Sequence, residues 1–158
     1  MDKKNRFTQT MLADAIKTNI THALKEDLGD TDLTSNLLKN DIKGQVQIIT
    51  KEKGILCGSA WVEECFRQIN KDIKIKWLVE DGENIKKNQL ICIVEGLITS
   101  ILKGERVALN FLQLLSGTAT STAHFKSLIK ITSAKVFDTR KTIPGLRIAQ
   151  KYAVLMGG

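Results

Sequence analysis

Asp138-Thr139-Arg140-Lys141-Thr142-Ile143-Pro144-Gly145-Leu146-Arg147 sets a pair of cations between a short apolar run and a helix-forming one. The run before it, Ala134-Lys135-Val136-Phe137, is too short for a helix and is bounded by polar residues, which predicts a strand ending at Asp138. Behind it, Thr142 can serve as an N-cap and Pro144 suits a first helical turn, where its missing N–H is not needed. Apolar Leu146, Ile148, Ala149, Tyr152, Ala153 and Met156 then recur at helical spacing, with Arg147 and Lys151 one turn apart. The expected unit is strand, basic turn, helix. Arg140 and Lys141 would stand past a strand's carboxyl end and ahead of a helix N-terminus, whose free N–H groups and dipole favour anions. Such a location is a ligand site in open α/β sheets and in barrels alike. The alternative is a solvated basic turn; the proline and helix start behind the pair favour the anion site.

Moving outward, 158 residues at 42% hydrophobic and 26% charged make an ordinary globular composition, about one domain in length. Lys+Arg 24 against Asp+Glu 17 leave a formal charge of +7, compatible with a polyanionic small molecule or with nucleic acid. Aromatics at 5%, and no Lys/Arg run longer than two, weigh against a base-stacking nucleic-acid surface. Cys57, Cys65 and Cys92 are odd in number and share no CxxC spacing, so buried reduced thiols are expected, with neither zinc nor disulfides. No apolar run follows the charges of the first ten residues and none is long enough to span a bilayer. The expected location is the cytoplasm.

Along the chain, residues 8–27 read as an amphipathic helix through Leu12, Ala15, Ile16, Ile20, Ala23 and Leu24, with His22 a surface or packing residue. Turn chemistry follows over 29–35, where clustered acids lack the glycine and terminal glutamate of a calcium loop. Strands are expected over 45–50, 55–57, 73–77, 90–94 and 97–102, the last two about a Glu95-Gly96 turn, and a short helix over 60–69. Strands flanked by helices suggest an α+β sandwich. From Gly104 the period becomes helical through Val107, Ala108, Phe111, Leu112 and Leu115, with Ser116-Gly117-Thr118 as the turn behind it. Leu109 and Leu114 widen the apolar face beyond one side, which predicts burial against a second domain or a second copy. Arg106 on so apolar a helix needs a partner, either Glu105 beside it or an external anion.

Together these residues resemble the quinolinate phosphoribosyltransferase family. The resemblance is carried by Glu105-Arg106-Val107-Ala108-Leu109-Asn110-Phe111-Leu112-Gln113, by Leu115-Ser116-Gly117-Thr118-Ala119-Thr120, by Asp138-Thr139-Arg140-Lys141-Thr142 with Pro144-Gly145-Leu146-Arg147, and by Lys151-Tyr152-Ala153-Val154. It extends upstream through Glu26-Asp27-Leu28-Gly29, Gly54-Ile55-Leu56-Cys57-Gly58 and Asp81-Gly82. It implies an N-terminal α+β open-faced sandwich followed by the first strand and helix of an α/β barrel, divided at 1–108 and 109–158. The implied reaction moves the phosphoribosyl group of phosphoribosyl pyrophosphate to quinolinate with loss of carbon dioxide, giving nicotinate mononucleotide and pyrophosphate with magnesium, in NAD biosynthesis. By position, Thr139, Arg140 and Lys141 would bind substrate, and Arg106 would reach into the neighbouring site of a homodimer. Neither nucleic acid nor a membrane is an expected partner.

The chain departs from the family's usual residues at Thr31 (Gly), Ile143 (Thr) and Gln150 (Glu). It stops at Gly158, inside a glycine motif that the family continues into the remaining barrel strands and the acids expected to hold ribose and metal. One strand and one helix do not close a barrel, so these residues alone are expected to be inactive, with no metal ligand among them. Three alternatives stand beside this reading. Residues 79–90 resemble a biotinyl or lipoyl half-repeat, but without the lysine such carriers present at a hairpin tip. The chain could be a non-catalytic dimerisation remnant, or a molybdate-transport-linked relative sharing the same motifs.

Overall fold

The computed structural model describes residues 8–29 and 42–158. The turn expected over 29–35, including Thr31, lies outside them beyond Gly29, as does the start of the chain. In order come α1 (Gln9–Leu28), β1 (Lys43–Ile49), β2 (Gly54–Ile55), α2 (Ser59–Ile69), β3 (Lys74–Trp77), β4 (Asn84–Ile85), β5 (Leu90–Leu97), α3 (Ile98–Leu128) and α4 (Arg147–Gly157).

Three strands form an antiparallel sheet in the order β1-β5-β3. Because side chains alternate across a strand, the register gathers one apolar row: Val46 opposite Val94 opposite Ile75, and Ile48 opposite Cys92 opposite Trp77. The opposite face carries Gln45, Glu95 and Lys74 in register and is left to solvent. This is an open-faced sandwich, as expected. The helices fill the apolar side, where Trp61, Ile20, Leu56, Ile91, Ile101 and Leu115 are fully buried. A second, two-stranded sheet pairs β2 with β4. It docks through α3's hydroxyls: Ile55 N–H donates to Thr120 Oγ1 (2.8 Å), and Cys57 N–H to Ser116 Oγ (3.0 Å), which itself donates to Cys57 O (3.1 Å).

Three expectations about local structure are corrected. Residues 97–102 are not a strand, since β5 runs through Glu95-Gly96 to Leu97 and α3 begins at Ile98. Gly96 is there for room, because a Cβ on it would come within 2.9 Å of Ile73 Cγ1. Ile98, Ile101 and Leu102 have helical spacing, which so short an apolar run hides. Nor does the helix turn at Ser116-Gly117-Thr118; α3 continues unbroken to Leu128, and so crosses position 108/109 in its interior. The hydroxyls that read as turn-formers are satisfied inside it, Thr118 donating to Leu114 O (3.0 Å) and Thr122 to Thr118 O (2.9 Å).

The third correction concerns the basic stretch. Residues 134–137 are exposed and form no strand, since among the described residues no neighbouring strand offers them a ladder. The helix behind starts at Arg147 rather than after Thr142. Pro144-Gly145 instead makes a turn closed by Leu146 N–H to Ile143 O (3.1 Å), with Gly145 at φ +78°, a conformation open to glycine. α4 then crosses α3 so closely that a Cβ on Gly157 would collide with Ala119 O.

Candidate functional site

The segment that leads into α4 carries the chain's most concentrated chemistry. Thr139, Arg140 and Lys141 are all exposed, the two cations adjacent and open to solvent. Thr139 Oγ1 accepts from Lys141 N–H (3.0 Å), and Thr142 N–H donates to Arg140 O (3.0 Å), so the backbone curls tightly around the pair. Asp138 turns inward, its side chain 5% exposed, and meets Lys151 Nζ at 2.7 Å. Ile143 N–H donates to Gln150 Oε1 at 2.8 Å. Of the four expected site residues, three therefore lie together on this segment.

Arg106 stands elsewhere, near the start of α3, where its Nη1 pairs with Asp27 Oδ1 of α1 at 3.0 Å. Its partner within the chain is thus Asp27 rather than Glu105. The Arg106 side chain is 73% exposed, and a guanidinium has five donors, so the contact leaves others for an anion. The two residues that follow it, Val107 and Ala108, are buried, along with Phe111, Leu112 and Leu115. Leu109 and Leu114, which widen its apolar face, are half-buried. Exposed apolar side chains lie at Leu102 near its start, at Phe125 and Leu128 near its end, and beyond it at Ile131 and Phe137.

What ties α4 to the sandwich was not visible in the sequence. Asp81, between β3 and β4, accepts N–H bonds from Gly58 (2.9 Å) and Ser59 (3.1 Å) at the start of α2, where a carboxylate complements the helix dipole. Tyr152 of α4 donates its hydroxyl to the same carboxylate at 3.0 Å. Burial, then the Asp81 charge, push the Tyr152 phenol well above its ordinary value, so it stays a donor. Its ring packs on Trp61 at 5.4 Å between centroids. Trp61 Nε1–H donates to Asn19 Oδ1 (3.3 Å), and Asn19 Nδ2 donates to Gly145 O (3.0 Å). One polar chain thus runs from the sandwich to the turn beside the basic segment. Asp81, Gly145 and Tyr152 stand in the sequence only within separate motifs, and no local spacing connects residues so far apart.

The three cysteines are buried and free, and burial pushes the Cys65 and Cys92 thiols up to about 12. They are inert packing groups, as the sequence suggested. His22 is exposed on α1. Among the described residues no three His, Cys, Asp or Glu side chains gather where a metal could sit. Among them, too, no helix is long and apolar enough to cross a membrane.

Comparison with known proteins bears on the same residues. The family profile described as quinolinate phosphoribosyl transferase, N-terminal domain, matches residues 32–116, and that of the C-terminal domain matches 118–158. The chain is 36% identical over 143 residues to a probable nicotinate-nucleotide pyrophosphorylase [carboxylating] of Bacillus subtilis, across 90% of this chain and 50% of that protein. It is 38% identical over 145 residues to quinolinate phosphoribosyltransferase [decarboxylating] 1b of Nicotiana tabacum, across 90% of this chain and 41% of that one. Among solved structures, the nicotinate-nucleotide pyrophosphorylase of Francisella tularensis superposes with a TM-score of 0.91 at 40% identity, covering 100% of this chain and 55% of that one. NadC of Streptococcus pyogenes gives 0.86 at 34% identity, covering 98% and 54%. The chain spans half or less of the length of these curated relatives.

Proposed function

The chain belongs to the quinolinate phosphoribosyltransferase family, and on that premise we propose that it carries the quinolinate-binding part of a carboxylating nicotinate-nucleotide pyrophosphorylase, a transferase of NAD biosynthesis. In the whole enzyme the ring nitrogen of quinolinate forms the bond to ribose C1 as the bond from C1 to pyrophosphate breaks. The carboxylate beside that nitrogen leaves as carbon dioxide, and the electron pair it leaves on the ring takes up a proton.

The observation that carries this reading is the adjacent, solvent-facing pair Arg140 and Lys141 on a segment drawn tight between α1 and α4. A planar guanidinium matches a carboxylate through two parallel N–H bonds, and a nearby ammonium adds a point charge for the second carboxylate or for a phosphate. Thr139 supplies a hydroxyl at the same place. Arg106, exposed on α3, would serve the neighbouring site of a homodimer through the donors that Asp27 leaves free. Among the described residues no three His, Cys, Asp or Glu side chains gather for the magnesium that the family resemblance implies. The cytoplasm remains the proposed location.

Binding tests this directly. Arg140→Ala should weaken quinolinate by about 1.5–3 kcal/mol, the range for a lost hydrogen bond to a charged group, read by calorimetry. Unchanged affinity would remove Arg140 from the site.

A further inference from the structure

We propose that Gln150 and Lys151 are positioning residues that hold the anion-binding segment by its two ends; this rests on the reading of Arg140 and Lys141 above. Residues 134–143 belong to no helix or strand. A stretch with no ladder keeps a single shape only where side chains supply its missing bonds, because each residue left free gains conformational entropy. Two successive side chains near the start of α4 supply them here. Lys151 Nζ grips Asp138 at 2.7 Å, with the carboxylate side chain 5% and the lysine 22% exposed. Gln150 Oε1 takes the Ile143 N–H at 2.8 Å.

Between these anchors lie the three proposed ligand residues, with Lys141 N–H on Thr139 Oγ1 and Thr142 N–H on Arg140 O. The backbone under the cations is therefore set by α4, and α4 is set by Tyr152 on Asp81 and by its close crossing of α3. A cation pair shaped before the ligand arrives loses less freedom on binding than a mobile one. A glutamate at this position would present the same carbonyl-type oxygen to the Ile143 amide.

The test uses the full 158-residue chain and quinolinate itself as the probe. Amide exchange is followed by NMR and affinity by calorimetry. Gln150→Met keeps the length of the side chain but removes the acceptor. It should speed exchange of the Ile143 amide while the α4 amides beyond Tyr152 stay protected, and should weaken quinolinate about five- to tenfold, the effect of one lost hydrogen bond. Gln150→Glu should restore both. Lys151→Met should loosen the Asp138 end in the same way, and Gln150→Met carries the test if that variant does not fold. If the wild-type chain binds and Arg140→Ala does not, but Gln150→Met binds as wild type with an unchanged Ile143 amide, the positioning role is wrong and the anion site stands. If the wild-type chain binds no quinolinate, or Arg140→Ala binds equally well, the anion site falls and the positioning role with it.

Discussion

Asp81 shows how much one half-buried carboxylate can organise: it closes the start of α2 through two N–H bonds and receives Tyr152 from α4. The cost of burying that charge is offset by three donors aimed at it. The same burial governs the pH behaviour of the core. Cys65 and Cys92 have thiols raised from 9.0 to about 12 in the folded chain, so on unfolding they would release protons in between. A raised folded value means the stabilising contribution is complete below the unfolded value and is lost as pH climbs toward the folded one. Thermal unfolding followed from about pH 8 to 11 should therefore show a falling midpoint above about 9, and Cys65→Ala with Cys92→Ala should flatten that fall. A midpoint indifferent to alkaline pH would contradict burial of these thiols. Arg140 and Lys141 were legible as cations beside a helix because composition and spacing are local properties. Asp81 was legible only as part of a motif, because its partners lie 22, 23 and 71 positions away.

At the scale of elements, α3 is the member on which the others assemble. It packs against both sheets, α1, α2 and α4. Its small residues are placed for contact: a Cβ on Gly104 would stand 2.7 Å from Ile69 Cδ1, and Thr120 Oγ1 stands 2.6 Å from where a Cβ on Gly54 would lie. The crossing with α4 is the tightest, because at Gly157 the obstacle is the Ala119 carbonyl, which does not yield as a side-chain tip does. Gly157→Ala should thus lower stability by about 1–3 kcal/mol, the usual cost of overpacking, read as a lower denaturant midpoint. An unchanged midpoint would show that α4 can slide. The extent of α3 was half legible. Periodicity found its apolar face from Gly104 onward, but its first turns read as a strand and its hydroxyl-rich middle as a turn. Both errors have one cause: short apolar runs and Ser/Thr clusters suit two structures, and the choice is made by what they touch.

For the whole molecule, phosphoribosyl transfer needs cations for the leaving pyrophosphate and acids for the positive charge that grows at the ribose, fixed around one pocket. The described residues place the basic group at 139–141, but the inward acid beside it, Asp138, is committed to Lys151. We expect the 158-residue chain, assayed with quinolinate, phosphoribosyl pyrophosphate and magnesium, to form no nicotinate mononucleotide above background. Product from a preparation whose intact mass matches this chain would overturn that. Light scattering is expected to give a dimer that brings the exposed Arg106 face to a neighbour. A monomer at high micromolar concentration would count against the shared site.

By itself the sequence determined what depends on near neighbours and on pattern: the α+β sandwich from its run of strands and flanking helices, the amphipathic α1, the short α2, the buried cysteines, and the motifs that mark the family and imply an open face. It also offered Thr139, Arg140 and Lys141 as candidate site residues. Only the tertiary structure decided that 134–137 stays unpaired, that Pro144-Gly145 turns rather than starts a helix, and that Arg106 rests on Asp27. The reason is physical. A strand is completed by a neighbour's hydrogen bonds, a helix start by the group that takes its free N–H, and an ion pair by a charge brought from elsewhere, and in each case the second partner arrives only when the chain folds.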